Sequence, residues 1–307
     1  MVDDQVARTL LDTKGYRDLE HPVILTSGLL GVFYINTENV IQDGGEWKQF
    51  GHESEAMIAH CARMAEEHPT YNQVIDVLAA EVARLAPTGH QFAVAGGQRR
   101  DWPFSGLVGN RLGIPHISLY KEDGEQKGKV ELLAEGMTVT NPQDLSKYTV
   151  IPIVDLLTVG SSTYRVEAGK ELGWVPMLRS RGATVNNLVA VVSRVQGGEG
   201  MLADQGVIAS SLVQIDQDFI RAYSSDPARA LAYMADPEGW CADYLRENGA
   251  LEFVAEFDPQ GSKLPRARRF LDHFGDVLKE NEHYAALETA IGDVYEVELS
   301  ALMDRGK

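Results

Sequence analysis

The chain has 307 residues, with 28 Lys and Arg against 45 Asp and Glu for a net charge of −17, and is 44% hydrophobic and 24% charged. That apolar content excludes a disordered chain, the length allows one large domain or two ordinary ones, and no run approaches the roughly eighteen consecutive apolar residues of a membrane span. A balance this negative repels polyanions at long range, so neither nucleic acid nor an anionic membrane surface is expected as a partner.

The first residues, MVDDQVARTLLDTKGYRD, are charged throughout and lack the basic-then-apolar layout of a secretory signal, which predicts a cytoplasmic protein. Cys61 and Cys241, far apart and without metal-ligand spacing, fit a reducing compartment and packing roles better than a zinc site or a disulfide scaffold. Helical spacing of apolar residues predicts helices over 53–68 and 71–86. Short apolar runs follow at 92–96, 114–120, 149–155, 187–194 and 210–215, alternating with helix-like stretches at 104–112, 162–172 and 200–206. Runs of this length between helices predict an α/β domain whose parallel sheet is covered on both faces. From 216 onward Pro and Gly break a series of helix-like segments, in which Tyr284, Leu287, Ile291 and Val294 form an apolar face. The division expected is therefore an α/β domain over 1–215 and a helical extension over 216–307. Charge is uneven along the chain: residues 1–90 carry 14 acids and 6 bases, 91–215 carry 12 of each, and 216–307 carry 19 and 10, so the middle segment alone is neutral.

In open α/β sheets ligands sit beyond the carboxyl ends of the strands, and three loops there hold suitable chemistry. In VIPIVDLLTVGSSTYRVEAGKELG (150–173) an apolar strand ends in Asp155, and a turn with Thr158, Gly160, Ser161 and Ser162 leads toward a predicted helix near Thr163. Hydroxyls and backbone N–H groups at such a turn can converge on a phosphate, and the acid can hold sugar hydroxyls or a water on Mg²⁺; an ordinary N-capped junction would read the same way. In FAVAGGQRRDWPF (92–104) Gly97, Gln98, Arg99, Arg100 and Asp101 follow a strand, and adjacent arginines there can grip a diphosphate or simply be solvated. The polar stretch 120–136 carries Lys121, Lys127 and Lys129, suited to a loop that closes over a departing anion, or to an exposed hairpin.

Five stretches, in order, resemble the motifs of orotate-type phosphoribosyltransferases: LTSGLLGVFYIN (25–36), FAVAGGQRRDWPF (92–104), YKEDGEQKGK (120–129), VIPIVDLLTVGSS (150–162) and VVSRVQGGEGMLADQGV (191–207). The resemblance covers residues 20–215 and implies a type I phosphoribosyltransferase-like sheet flanked by helices, with an N-terminal hood segment. It implies transfer of ribose 5-phosphate from phosphoribosyl pyrophosphate to a small aromatic, pyrimidine-like base, with Mg²⁺ as cofactor and a homodimer as assembly. By the same resemblance Asp155 would bind the ribose hydroxyls and, indirectly, the metal; Thr158, Gly160, Ser161 and Ser162 would take the 5-phosphate. Gly97–Asp101 would hold pyrophosphate under the three lysines. Phe33 and Tyr34 would flank the base, and Arg194 would face its carboxylate or carbonyl groups.

The chain departs from the pattern where charge is expected. Val154 replaces the first of two adjacent acids, Leu30 and Tyr120 stand where bases belong, Gln126 lies near a missing loop histidine, Ser193 precedes Arg194, and Asp101 is an acid beside the diphosphate position. A binding module that keeps the pocket without turnover is therefore the rival reading. No HxxxH or HxH pair suggests a metal cage, no histidine accompanies Ser27 or Ser161 as a hydrolase would require, and Arg266, Arg268 and Arg269 read as a solvated helix face.

Overall fold

A computed structural model describes residues 3–86, 91–122, 126–134 and 136–303. Its strands are β1 (Tyr16–Ile24), β2 (Leu30–Ile35), β3 (Gln91–Gly97), β4 (His116–Leu119), β5 (Val130–Ala134), β6 (Met137–Thr140), β7 (Tyr148–Leu157), β8 (Arg165–Glu167), β9 (Lys170–Leu172), β10 (Asn187–Ser193) and β11 (Ile208–Gln214). Seven form one sheet in the order β11-β10-β7-β3-β4-β5-β6. The first five of that order run parallel, and β5 and β6 are added as antiparallel strands. The sheet is thus mixed rather than wholly parallel, because β4 returns through a hairpin instead of a crossover helix.

The predicted helices appear as Ser54–Glu67, Pro69–Leu85, Trp102–Leu112 and Gly198–Asp204. The one predicted over 162–172 does not: β8 and β9 pair there as a hairpin, and the helix starts only at Trp174. Ala168 and Gly169 both take left-handed backbone conformations, φ 50° and 75°, the two-residue turn that matches strand twist.

The chain packs as two compact units, Met1–Tyr16 with Ile35–Phe219, and Arg17–Tyr34 with Ile220–Lys307. This corrects the expected boundary, since residues 17–34 join the C-terminal helices. The reason is packing: Leu30, Phe33, Tyr233 and Cys241 are all buried, the Leu30 N–H donates to Cys241 Sγ at 3.3 Å, and the Phe33 ring meets Tyr233 edge-on at 5.9 Å. Asp18 is fixed by both Ser224 and Ser225, and Arg229 donates to the carbonyls of Leu19 and Glu20. In that unit Leu287 and Ile291 are buried as predicted, whereas Val294 is 60% exposed. No helix among the described residues is long and apolar enough to cross a membrane.

In the first unit the sheet order reverses between β3 and β7: from β3 the chain moves outward to β4, and then returns to the other side to lay down β7, β10 and β11. In open α/β sheets the loops leaving two such strands diverge, and ligands sit in the crevice at their carboxyl ends.

Candidate functional site

Two buried carboxylates meet at the carboxyl ends of β3 and β7, Asp101 and Asp155, each 7% exposed. Asp101 precedes the helix Trp102–Leu112 and turns its side chain back, so that Oδ2 accepts from the Gly97 N–H and Oδ1 from the Asp155 N–H, both at 2.9 Å. It straps the end of β3 to β7. Burial first, and the neighbouring Asp155 charge second, push its carboxyl well above the usual carboxylate range. The expected diphosphate-holding role of Gly97 and Asp101 is corrected accordingly: the Gly97 N–H is taken by Asp101, and a Cβ at Gly97 would run into the Trp174 indole. Gly97 is a packing position, where only a residue without a side chain lets the indole lie against the backbone.

Asp155 lies within β7, which continues to Leu157. Its Oδ2 accepts from Thr37 Oγ1 at 2.5 Å and pairs with Arg100 Nη2 at 3.0 Å. Arg100 also reaches Glu38, with Nε 3.3 Å from Oε1, and Lys48 Nζ lies 2.6 Å from Glu38 Oε2. Arg99 Nη1 donates to the Lys48 carbonyl at 3.2 Å, and both cations lie 5.6 Å from the Trp47 ring centroid. Gln98 links outward, its Nε2 2.5 Å from His52 Nδ1 and its Oε1 accepting from the Lys121 N–H at 3.0 Å. The segment 36–52, with its 3-10 turns Thr37–Ile41 and Glu46–Phe50, therefore supplies Thr37, Glu38, Trp47, Lys48 and His52 to the site. Sequence reasoning missed all five. The one available signal was the Asp43-Gly44-Gly45 turn: Asp43 accepts from the Gly45 and Trp47 N–H groups and from His60, which fixes the loop.

The three lysines lie on one hairpin, and Lys129 is engaged within it. Tyr120 and Lys129 continue the hairpin between β4 and β5, with the Tyr120 N–H donating to the Lys129 carbonyl and the Gly128 N–H to that of Lys121. Lys129, expected over the leaving group, instead pairs with Glu131 at 3.0 Å and lies over the Tyr120 ring at 4.1 Å. The Tyr120 hydroxyl donates to the same Glu131 carboxylate, and burial followed by that bond raises the phenol. Burial opposes ionisation of Glu131, yet the Tyr120 and Lys129 contacts hold its carboxyl below the ordinary value. Lys121 and Lys127 are exposed on the same hairpin, of which residues 123–125 lie outside the described ones.

The turn expected to take the 5-phosphate lies at the carboxyl end of β7, but no helix begins in it. Thr163 closes it by donating Oγ1–H and N–H to the Gly160 carbonyl, at 2.6 and 2.9 Å, and the Gly198 N–H donates to the Thr158 carbonyl. Ser161 and Ser162 are exposed. The dipole of a helix N-terminus, expected to favour phosphate there, is absent because β8 and β9 intervene. Of the base-flanking residues, Phe33 is buried among the helices of the second unit and is corrected to a core position, while Tyr34 is 40% exposed with Arg17 over its ring at 5.6 Å. Arg194 follows β10, its N–H donating to the Leu157 carbonyl at 2.9 Å.

Among the described residues no three His, Cys, Asp or Glu side chains gather as a metal site. Asp155, already bonded through Oδ2, offers Mg²⁺ little more than one ligand, so the donor set fits only a cation that arrives with a diphosphate supplying the other oxygens.

No protein-family model matches the chain, and no curated protein matches it. Solved structures of similar shape include an orotate phosphoribosyltransferase from Aeropyrum pernix, 20% identical over 71% of this chain and 98% of that one, with a TM-score of 0.45. A UMP synthase from Leishmania donovani is 18% identical over 75% of this chain and 42% of that one, with a TM-score of 0.49. An adenine phosphoribosyltransferase from Thermoanaerobacter pseudethanolicus is 18% identical over 60% and 90%, with a TM-score of 0.37. Likenesses this distant carry no residue role from one chain to another.

Proposed function

We propose that the crevice between β3 and β7 is a phosphoribosyl-ligand site and that the chain transfers ribose 5-phosphate from phosphoribosyl pyrophosphate to an aromatic base. The observation that carries this reading is the chain of ion pairs from Asp155 through Arg100 and Glu38 to Lys48 at the point where the strand order reverses. A carboxylate there can accept from vicinal sugar hydroxyls, and cations beside it can hold the leaving diphosphate as negative charge builds on it. Mg²⁺, when brought by the diphosphate, spreads that charge further. The turn Thr158–Ser162 is the place for the 5-phosphate, and Arg194, at the end of β10, is suited to a planar carboxylate on an orotate-like base.

One feature of the charge pattern favours a second reading, binding without turnover. Arg100 and Lys48 share Glu38, Arg100 also pairs with Asp155, and Lys129 pairs with Glu131. Cations already neutralised stabilise a departing diphosphate less than unpaired ones. The two readings part in one experiment: pyrophosphate release from phosphoribosyl pyrophosphate and Mg²⁺, with orotate and then other bases, in the intact chain and in Asp155→Asn. Base-dependent release that disappears in the variant establishes the transferase. Donor binding by calorimetry with no release from any base refutes turnover and leaves the binding site.

A further inference from the structure

Glu38 occupies an unusual place for an acid on a short 3-10 turn. Its two carboxylate oxygens are divided between Lys48 Nζ at 2.6 Å and Arg100 Nε at 3.3 Å. The carboxylate is tucked in, with 16% of the side chain exposed, whereas Lys48 and Arg100 are about half exposed, at 50% and 44%. Both cations therefore keep about half of their side-chain surface in solvent while the acid that joins them is mostly covered. Their positions do not depend on Glu38 alone. The Lys48 backbone is held by Arg99, the loop bearing it by the buried Asp43–His60 pair, and Arg100 by Asp155.

We propose that Lys48 and Arg100 form an oxyanion subsite for a phosphoryl or diphosphoryl group, and that Glu38 is its resident intramolecular anion, displaced when the ligand enters. This rests on the reading of the crevice as a phosphoribosyl-ligand site, in which Lys48 and Arg100 already face the diphosphate, and adds to it Glu38 as a selectivity device. A carboxylate bridging two cations through two oxygens has the charge and shape of one face of a phosphoryl group. A phosphoryl group carries about two charges and three acceptor oxygens against one charge and two oxygens for the carboxylate, so it can take over both cations, while an incoming monocarboxylate cannot improve on the acid already there. The resident acid thus lowers affinity for every anion and excludes singly charged ones. Thr37, the neighbour of Glu38 in the same turn, is bonded to Asp155, so the turn stays anchored when the Glu38 side chain swings out.

The test is calorimetric titration of the full chain with inorganic pyrophosphate, with acetate as the singly charged probe. Glu38→Gln keeps the shape and removes the charge, and is expected to tighten pyrophosphate binding about tenfold and to admit acetate. Lys48→Ala is expected to weaken pyrophosphate binding about tenfold, and the gain from Glu38→Gln shrinks in the Lys48→Ala background, as coupling requires. Glu46→Gln removes an equal charge from an exposed position on the same loop and is expected to leave the affinity within about twofold, because exposed charges are screened. Glu38→Asp, which retains the charge but withdraws it by one methylene, is the second variant and is also expected to bind more tightly. Unchanged or weaker binding by folded Glu38→Gln and Glu38→Asp overturns the proposal, as does an equal gain in Glu46→Gln. This titration does not read turnover, so its outcomes stand apart from those of the release assay above: tightening here with no pyrophosphate release there retains the subsite and removes the transferase, and release there without tightening here does the reverse.

Discussion

Acid should destabilise the first unit through one imidazole. His116 opens β4, is 4% exposed, and has Nε2 2.8 Å from Ser105 Oγ. Ser105 Oγ already donates its proton to the Asp101 carbonyl at 3.0 Å, so it must accept from His116, which sets the Nε2–H tautomer. Burial pushes the ring from 6.5 down to about 3. A depressed histidine binds fewer protons folded than unfolded, so its contribution is complete above pH 6.5 and is lost as the pH falls through 6.5 toward 3. Between pH 7 and pH 5 the loss integrates to about 2 kcal/mol, at about 1.4 kcal/mol per unit once the unfolded ring is protonated. His116→Gln retains an amide donor toward Ser105 and removes the titration. Urea unfolding followed by tryptophan fluorescence is the assay, since Trp47, Trp102 and Trp174 lie in the first unit and only Trp240 in the second. The wild-type chain should lose about 2 kcal/mol more than His116→Gln between pH 7 and pH 5. Parallel losses in the two proteins would refute the reasoning, because the other acids titrate equally in both.

Two further substitutions test the packing around the site and the assignment of residues 17–34. Gly97→Ala places a methyl group against the Trp174 indole and should cost about 1–3 kcal/mol by overpacking; Trp174→Leu in the same chain should recover part of it, and additive losses in a urea titration would contradict the close approach. Asp18→Ala removes the acceptor for the hydroxyls of Ser224 and Ser225 and the Ser225 N–H, and should destabilise the second unit by about 1–2 kcal/mol. Protease cutting within 220–303 that is no faster than in the wild-type chain would show that the hairpin does not brace those helices.

Much of the fold was legible in the sequence because it depends on local periodicity. The helices Ser54–Glu67 and Pro69–Leu85 follow from apolar spacing, and β3, β7, β10 and β11 from apolar runs between turn residues. The hairpin of β8 and β9 was not legible: RVE and KEL are short and charged, and only the Ala168-Gly169 turn distinguishes them from helix. The place of Phe33 was not legible either, because a matched motif gives residue identity without burial. Its side chain is core to helices far along the chain, as its contact with Tyr233 shows.

The site divides along the same line. That Gly97–Asp101, Tyr120–Lys129 and Asp155–Ser162 lie at strand ends follows from the order of residues alone, because strand positions follow from hydrophobic pattern. Which charges meet is settled only in three dimensions. Glu38 and Lys48 come to Arg100 from a distant loop, Thr37 reaches Asp155 across 118 residues, and Lys129 turns to Glu131 rather than to the crevice. Attraction between ions depends on through-space distance and local dielectric, and neither is written in the order of residues along a chain.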